Sequence, residues 1–103
     1  MVLELNDVSL SEAIKEGTVV VDFWAPWCGP CRKLGPVLEE VAVELDGKVK
    51  VCKLNTDENI QSAQSFGISA LPSVLMFKDG EVVERMVGLM PKSTIISNIE
   101  KHL

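Results

Sequence analysis

The sequence is short of three things: it has a single histidine, His102, only three cysteines, and no apolar run near the ~20 residues of a membrane span. Nor is there a basic excess. Ten Lys and Arg against fifteen Asp and Glu leave a formal net charge of −5, with both signs mixed along the chain. Nucleic acids and anionic membranes both reward a basic face, so neither is expected as a partner. The segment Met1 to Asp7 lacks the basic region and following apolar stretch of an export signal, so the cytoplasm is the expected compartment. No repeat, linker or low-complexity stretch divides the chain. Residues 1–103 are therefore expected to form one domain, since that length suffices for one core and not for two; the chain is expected to work as a monomer.

The small number of cysteines is itself informative. A disulfide framework in a chain of this size uses more of them, in even numbers. Cys28 and Cys31 instead form one close pair. Chain entropy gives about 2 kcal/mol for so short a loop, against roughly 3 for fifteen residues, so this pair can open at little cost to the fold. Zinc is disfavoured as the alternative. A structural site needs four protein ligands, no second Cys-x-x-Cys exists, and His102 lies at a chain end expected to fray. Met86 and Met90 read as core or rim rather than as ligands, and no metal or bound cofactor is expected. Cys52, alone in an apolar run, reads as a small buried hydrophobe.

Hydrophobic periodicity places these residues on elements. Val2 to Leu5 reads as a short edge strand, and Ser9-Leu10-Ser11-Glu12 as a capping box opening a helix that Gly17 ends. Val19 to Trp24 is nearly unbroken apolar sequence, the pattern of a strand covered on both faces. A long helix is predicted from about Cys28 to Leu45, with Leu34, Val37, Leu38, Val41, Ala42 and Leu45 on one face and a kink at Pro36. Val49 to Leu54 completes a βαβ unit with parallel strands. Asp57 caps a short helix that Gly67 ends, and strands Ser73 to Lys78 and Glu81 to Val87 are joined by the hairpin signal Asp79-Gly80. Pro91 opens a last helix that buries Ile95, Ile96, Ile99 and Leu103. The expected class is α/β: a central mixed five-stranded sheet flanked by four helices.

The cysteine pair thus falls where a buried strand gives way to a long helix. The unpaired N–H groups and positive dipole end of a first helical turn favour a thiolate over a thiol, and Arg32 and Lys33 add positive charge. A helix terminus supplies about 0.3–1 kcal/mol, which lowers a thiol from about 8.5 by less than ~1 pH unit. A hydrogen bond from the Cys31 thiol to the Cys28 sulfur can add to this. Asp22, on an otherwise apolar strand, reads as a buried carboxyl with raised pKa. An edge-strand surface position is the weaker reading for it. Lys53 reads equally as a surface lysine and Trp24 and Trp27 as packing, Trp27 drawing notice because it flanks Cys28.

Asp22-Phe23-Trp24-Ala25-Pro26-Trp27-Cys28-Gly29-Pro30-Cys31 resembles the active-site segment of the thioredoxin family. So do Val51 to Asn55, Phe66-Gly67-Ile68 through Leu71-Pro72-Ser73, Asp79-Gly80 and Val87-Gly88, so that the resemblance covers essentially the whole chain. It implies the thioredoxin fold, with a cis Leu71–Pro72 bond, and a protein-disulfide reductase that needs no cofactor of its own. It further implies that Cys28 is the more exposed nucleophile, Cys31 the resolving thiol, Asp22 the acceptor of the Cys31 proton and Lys53 the residue tuning Asp22. Trp27, Gly29, Pro30, Leu71, Pro72, Val87, Gly88 and Leu89 would form an apolar rim for disulfide-containing protein substrates. Backbone groups beside Pro72 would pair with an extended substrate segment. A thioredoxin reductase using NADPH or ferredoxin electrons would recharge the pair. Gly29-Pro30 is the pairing of reducing members, whereas a binding module or an isomerase are the rival roles. Pro26, Ser73 in place of a frequent threonine, and the extra thiol Cys52 depart from the family pattern without touching the reacting pair.

Overall fold

The computed structural model describes residues 1–103 and contains the expected five strands and four helices in the expected order. They are β1 (Leu3–Leu5), α1 (Asp7–Ala13), β2 (Thr18–Trp24), α2 (Gly29–Glu44), β3 (Lys50–Asn55), α3 (Ile60–Ser65), β4 (Ser73–Lys78), β5 (Glu81–Val87) and α4 (Lys92–Glu100). The strands form one mixed sheet in the order β1-β3-β2-β4-β5. β3 runs parallel to both β1 and β2, while β4 is antiparallel to β2 and β5. The apolar run of β2 therefore occupies the middle of the sheet, where both faces are covered. Asp79 and Gly80 both take positive φ, 49° and 90°, as a two-residue turn matched to strand twist requires.

Side-chain alternation along β2 divides the core. Val19, Val21 and Phe23 pack with Leu10, Ile14, Leu54 and Phe77 on the side of α1. Val20 packs with Leu34, Leu38, Val41, Ile95 and Ile99 on the side of α2 and α4. By the two-residue period Asp22 and Trp24 follow Val20 onto that second face. This places a carboxyl, 3% exposed, beneath the first turns of α2.

Several local expectations are displaced by a residue or more. The first helix begins at Asn6 rather than in the Ser9 to Glu12 box. Asn6 Oδ1 accepts from the N–H groups of Val8 and Ser9, at 2.9 and 2.8 Å, and Ser9 Oγ accepts from the Asn6 N–H at 2.9 Å. Asn is as good a cap as Ser, and Asp7 in the first turn complements the dipole. Asn6→Ala is expected to cost about 1 kcal/mol, read as a lowered urea midpoint; an unchanged midpoint would contradict the cap.

Asp57 does not cap α3. Asn59 occupies the N-cap without a side-chain cap bond, because its amide is taken by the Asp7 N–H at 2.8 Å and the Asn55 carbonyl at 3.0 Å. α2 runs from Gly29 to Glu44 with Pro36 inside it. In α4, Ile95 and Ile99 are buried, Ile96 is half-buried, and Leu103 lies beyond the helix and is about half exposed. The chain end is tied rather than frayed. His102 Nε2 lies 2.8 Å from Glu84 Oε1, and Lys78 Nζ donates to the His102 carbonyl at 3.0 Å. No helix is long and apolar enough to cross a membrane.

Candidate active site

The end of β2 and the start of α2 bring the two cysteines together. Cys28 has extended backbone and is the N-cap of α2, so the helix proper begins one residue later than expected. Gly29 and Pro30 fill the first helical positions, where the missing N–H of proline has no helical partner to lose. Cys28 and Cys31 are joined as a disulfide, with Cα atoms 5.2 Å apart. The Cys31 N–H donates to Cys28 Sγ at 3.3 Å, so the sulfur of Cys28 takes the place that a Ser or Asp oxygen fills at an ordinary cap. In this oxidised form the expected contrast in exposure is slight, 5% for Cys28 and 3% for Cys31. Both sulfurs pack with Ala25, against Trp24 and Leu71.

Asp22 is buried and shares a cavity with Cys31. Burial pushes its carboxyl up from 3.8 to about 7, with Lys53 pulling the other way. Asp22 Oδ1 has no hydrogen-bonding partner among the protein atoms, nor has Trp24 Nε1. Asp22, Trp24, Cys31 and Lys53 line one small cavity of about 170 Å³. Cys28 is not among its lining residues. Lys53 is the in-register neighbour of Asp22 on β3, yet its ion-pair partner is Glu4, at 4.0 Å. Its Nζ also sits 5.6 Å from the centroid of the Trp24 ring.

The remaining candidates differ in exposure, and of them Leu71 packs against the cysteine pair. Trp27 is 69% exposed, Val87 and Leu89 are exposed, Gly88 and Leu71 are half-buried, and Pro72 is buried. The Leu71–Pro72 peptide bond is cis. The Pro72 carbonyl accepts from the Gly88 N–H at 2.9 Å, which holds the β4 and β5 ends together, and Gly88 has φ 91°. Neither backbone group of Leu71 is engaged by another backbone group.

Asp57, expected to cap a helix, instead accepts from Trp27 Nε1 at 3.1 Å. Thirty positions separate the two, and no local pattern pairs them. Cys52 is fully buried in β3, and burial raises its thiol to about 11, which keeps it protonated and inert.

Known proteins give the same picture. A model of the thioredoxin family matches residues 1–101. A thioredoxin of Synechocystis sp. is 48% identical over 102 residues, 97% of this chain and 95% of the relative. A thioredoxin of Bacillus subtilis is 45% identical over 102 residues, 99% of this chain and 98% of the relative. The chloroplastic M-type thioredoxin of Pisum sativum is 46% identical over 101 residues, covering 96% of this chain and 59% of that one. Proteins of this kind act on disulfide-containing protein substrates and depend on a reductase partner. With a disulfide set at a helix end and a match along nearly its whole length, this chain belongs to the thioredoxin family and is a protein-disulfide oxidoreductase whose Cys28–Cys31 pair performs dithiol–disulfide exchange.

Proposed function

We propose that the chain works as a reductase of protein disulfides, with Cys28 as nucleophile, Cys31 as resolving thiol and Asp22 as the base that serves Cys31. The observation that carries this division of labour is the asymmetry of the pair. The Cys28 sulfur is the helix cap and accepts the Cys31 N–H, a setting that favours its thiolate. Cys31 alone of the two lines the cavity that holds Asp22.

The reaction follows from that asymmetry. Cys28 thiolate attacks one sulfur of the substrate disulfide, and the other leaves as a thiolate that takes a proton from solvent. The Cys31 thiol passes its proton to the Asp22 carboxylate, and the Cys31 sulfur attacks Cys28 Sγ. The second substrate sulfur leaves, and the enzyme holds the new disulfide. A carboxyl titrating at about 7 is poised to take and give up a proton near neutral pH. Lys53 tunes that titration by favouring the ionised form.

Trp27, Gly29, Pro30, Leu71, Pro72, Val87, Gly88 and Leu89 form the substrate rim. The free N–H and C=O of Leu71 suit strand pairing with an extended substrate segment. The protein acts as a monomeric electron carrier of the cytoplasm, recharged by a reductase that draws on NADPH or ferredoxin. Gly29-Pro30 supports the reducing direction.

Cys31→Ser tests the assignment. It removes the resolving sulfur and leaves Cys28 at the cap, so substrate proteins are expected to accumulate as mixed disulfides on Cys28, released by dithiothreitol and identified by mass spectrometry. Recovery of adducts on Cys31 from the reciprocal Cys28→Ser variant, and none on Cys28, would reverse the roles.

A further inference from the structure

Asp22 lines two clefts. The inner one, of about 170 Å³, reaches Cys31 and is also lined by Arg32, Gly35 and Lys53. The outer one, of about 580 Å³, is lined by Val2, Pro36, Leu38, Glu39 and Glu40, and again by Asp22, Gly35 and Lys53. No residue of the substrate rim lines either. Glu39 and Glu40 are exposed, so the outer cleft ends at carboxylates in contact with solvent.

Gly35 is the side wall common to both. It lies inside α2, where glycine costs roughly 1 kcal/mol relative to alanine. Its φ is not positive, and a Cβ built on it meets nothing within 4 Å, so no backbone twist or close contact requires glycine there. The one local gain is relief of the contact between a Cβ and the ring of Pro36. Pro36 has no N–H to give the Arg32 carbonyl, which leaves that acceptor without its helical donor beside the inner cleft.

We propose that Asp22 exchanges its proton with solvent through the outer cleft, away from the substrate face, and that Gly35 is a positioning residue whose small size keeps the two clefts joined. This rests on the reading of Asp22 as the base for Cys31. In the resolving step the Cys31 S–H bond breaks as Asp22 gains the proton, and the new sulfur–sulfur bond expels the substrate thiolate. Asp22 then releases that proton outward, past Lys53 on β3 and towards Glu39 and Glu40 on α2. A bound substrate that covers Cys28 does not block the exit. The charged or titratable groups facing Asp22 are Lys53, which Glu4 of β1 engages, and Arg32, Cys31, Glu39 and Glu40 of α2; its partner on β4 is Val74.

The test compares Gly35→Ala with Gly35→Leu, two good helix formers that share the contact with Pro36 and differ in volume. Reduced protein is mixed with 5,5′-dithiobis(2-nitrobenzoate). The first release of thionitrobenzoate reads the attack by Cys28 and the second reads the attack by Cys31. Gly35→Ala is expected to behave as wild type. Gly35→Leu is expected to slow the second release about tenfold near pH 7, a part of what a positioned base contributes. It should leave the first release unchanged and move the Asp22 titration upward, because water is displaced from the carboxyl.

Val2→Trp narrows the outer cleft from the residue before β1 and should repeat the effect without touching α2. Asp22→Asn separates the two ideas. If it slows the second release while Gly35→Leu and Val2→Trp match Gly35→Ala, Asp22 remains the base and the exit route is overturned. If Asp22→Asn leaves the second release and its pH profile unchanged, the reading of Asp22 fails and the route fails with it.

Discussion

Cys28→Ser is expected to abolish disulfide exchange, a loss of at least about a thousandfold, the scale reached when a nucleophile is removed. The fold should survive. Serine is a favoured N-cap, and its Oγ can accept the Cys31 N–H that Cys28 Sγ accepts at 3.3 Å in the wild type. What is lost in the oxidised state is the cross-link, worth about 2 kcal/mol for so short a loop. The reduced wild type lacks that cross-link too, so the variant should match it in urea unfolding. The decisive pair of measurements is insulin-disulfide reduction and the unfolding midpoint of the reduced proteins. Retained activity would remove Cys28 from the chemistry. A collapsed midpoint would mean that the sulfur has a packing role its position as a cap does not predict.

Asp22→Asn has the second large effect, and it is one of opposite signs. The carboxyl titrates near 3.8 when free and at about 7 in the fold. Below pH 3.8 it is protonated in both states and contributes nothing to pH dependence. Between 3.8 and about 7 the unfolded chain loses the proton first, so stability falls as pH rises. Above about 7 the buried carboxylate costs the fold about 4 kcal/mol, at ~1.4 kcal/mol per pH unit between the two values. Asparagine has the same shape and no charge. The variant should therefore gain up to about 4 kcal/mol at pH 8 and almost nothing at pH 4, read from urea unfolding at the two pH values.

Activity should move the other way. Reduction of a protein disulfide near pH 7 should fall about tenfold to a hundredfold, at or below the usual contribution of a positioned base, since water can still reach Cys31. A difference from wild type of the same size at both pH values would show that the carboxyl is not buried as an acid. A residue that weakens the fold and speeds the reaction is retained for the reaction.

Much of this was legible one residue at a time. The apolar run of β2 announced a central strand, Asp79-Gly80 a hairpin, and the apolar periodicity after Cys28 a long helix opening at the cysteine pair, because each depends on neighbours within a few positions. Asp22 could be singled out for the same reason: a carboxyl in an unbroken apolar strand has few places to go. The local signals failed where tertiary partners outbid them. Asp57 has the chemistry of a cap, but Trp27 Nε1 reaches it first, and Asn59 holds the cap position while its amide serves Asp7 and Asn55. His102 and Glu84 meet across 18 positions, so a terminus that looked free is held.

The sequence by itself therefore determined the reacting pair, the elements that carry it and the order in which they occur, since strand period, helix period and turn chemistry are short-range. Only the tertiary structure decided what surrounds the pair. It put Cys31 rather than Cys28 on the cavity of Asp22, paired Lys53 with Glu4, and set Asp22, Gly35 and Lys53 on the walls of two clefts. Burial, cavities and long-range hydrogen bonds are properties of packed surfaces from distant segments, and no run of neighbouring residues encodes them.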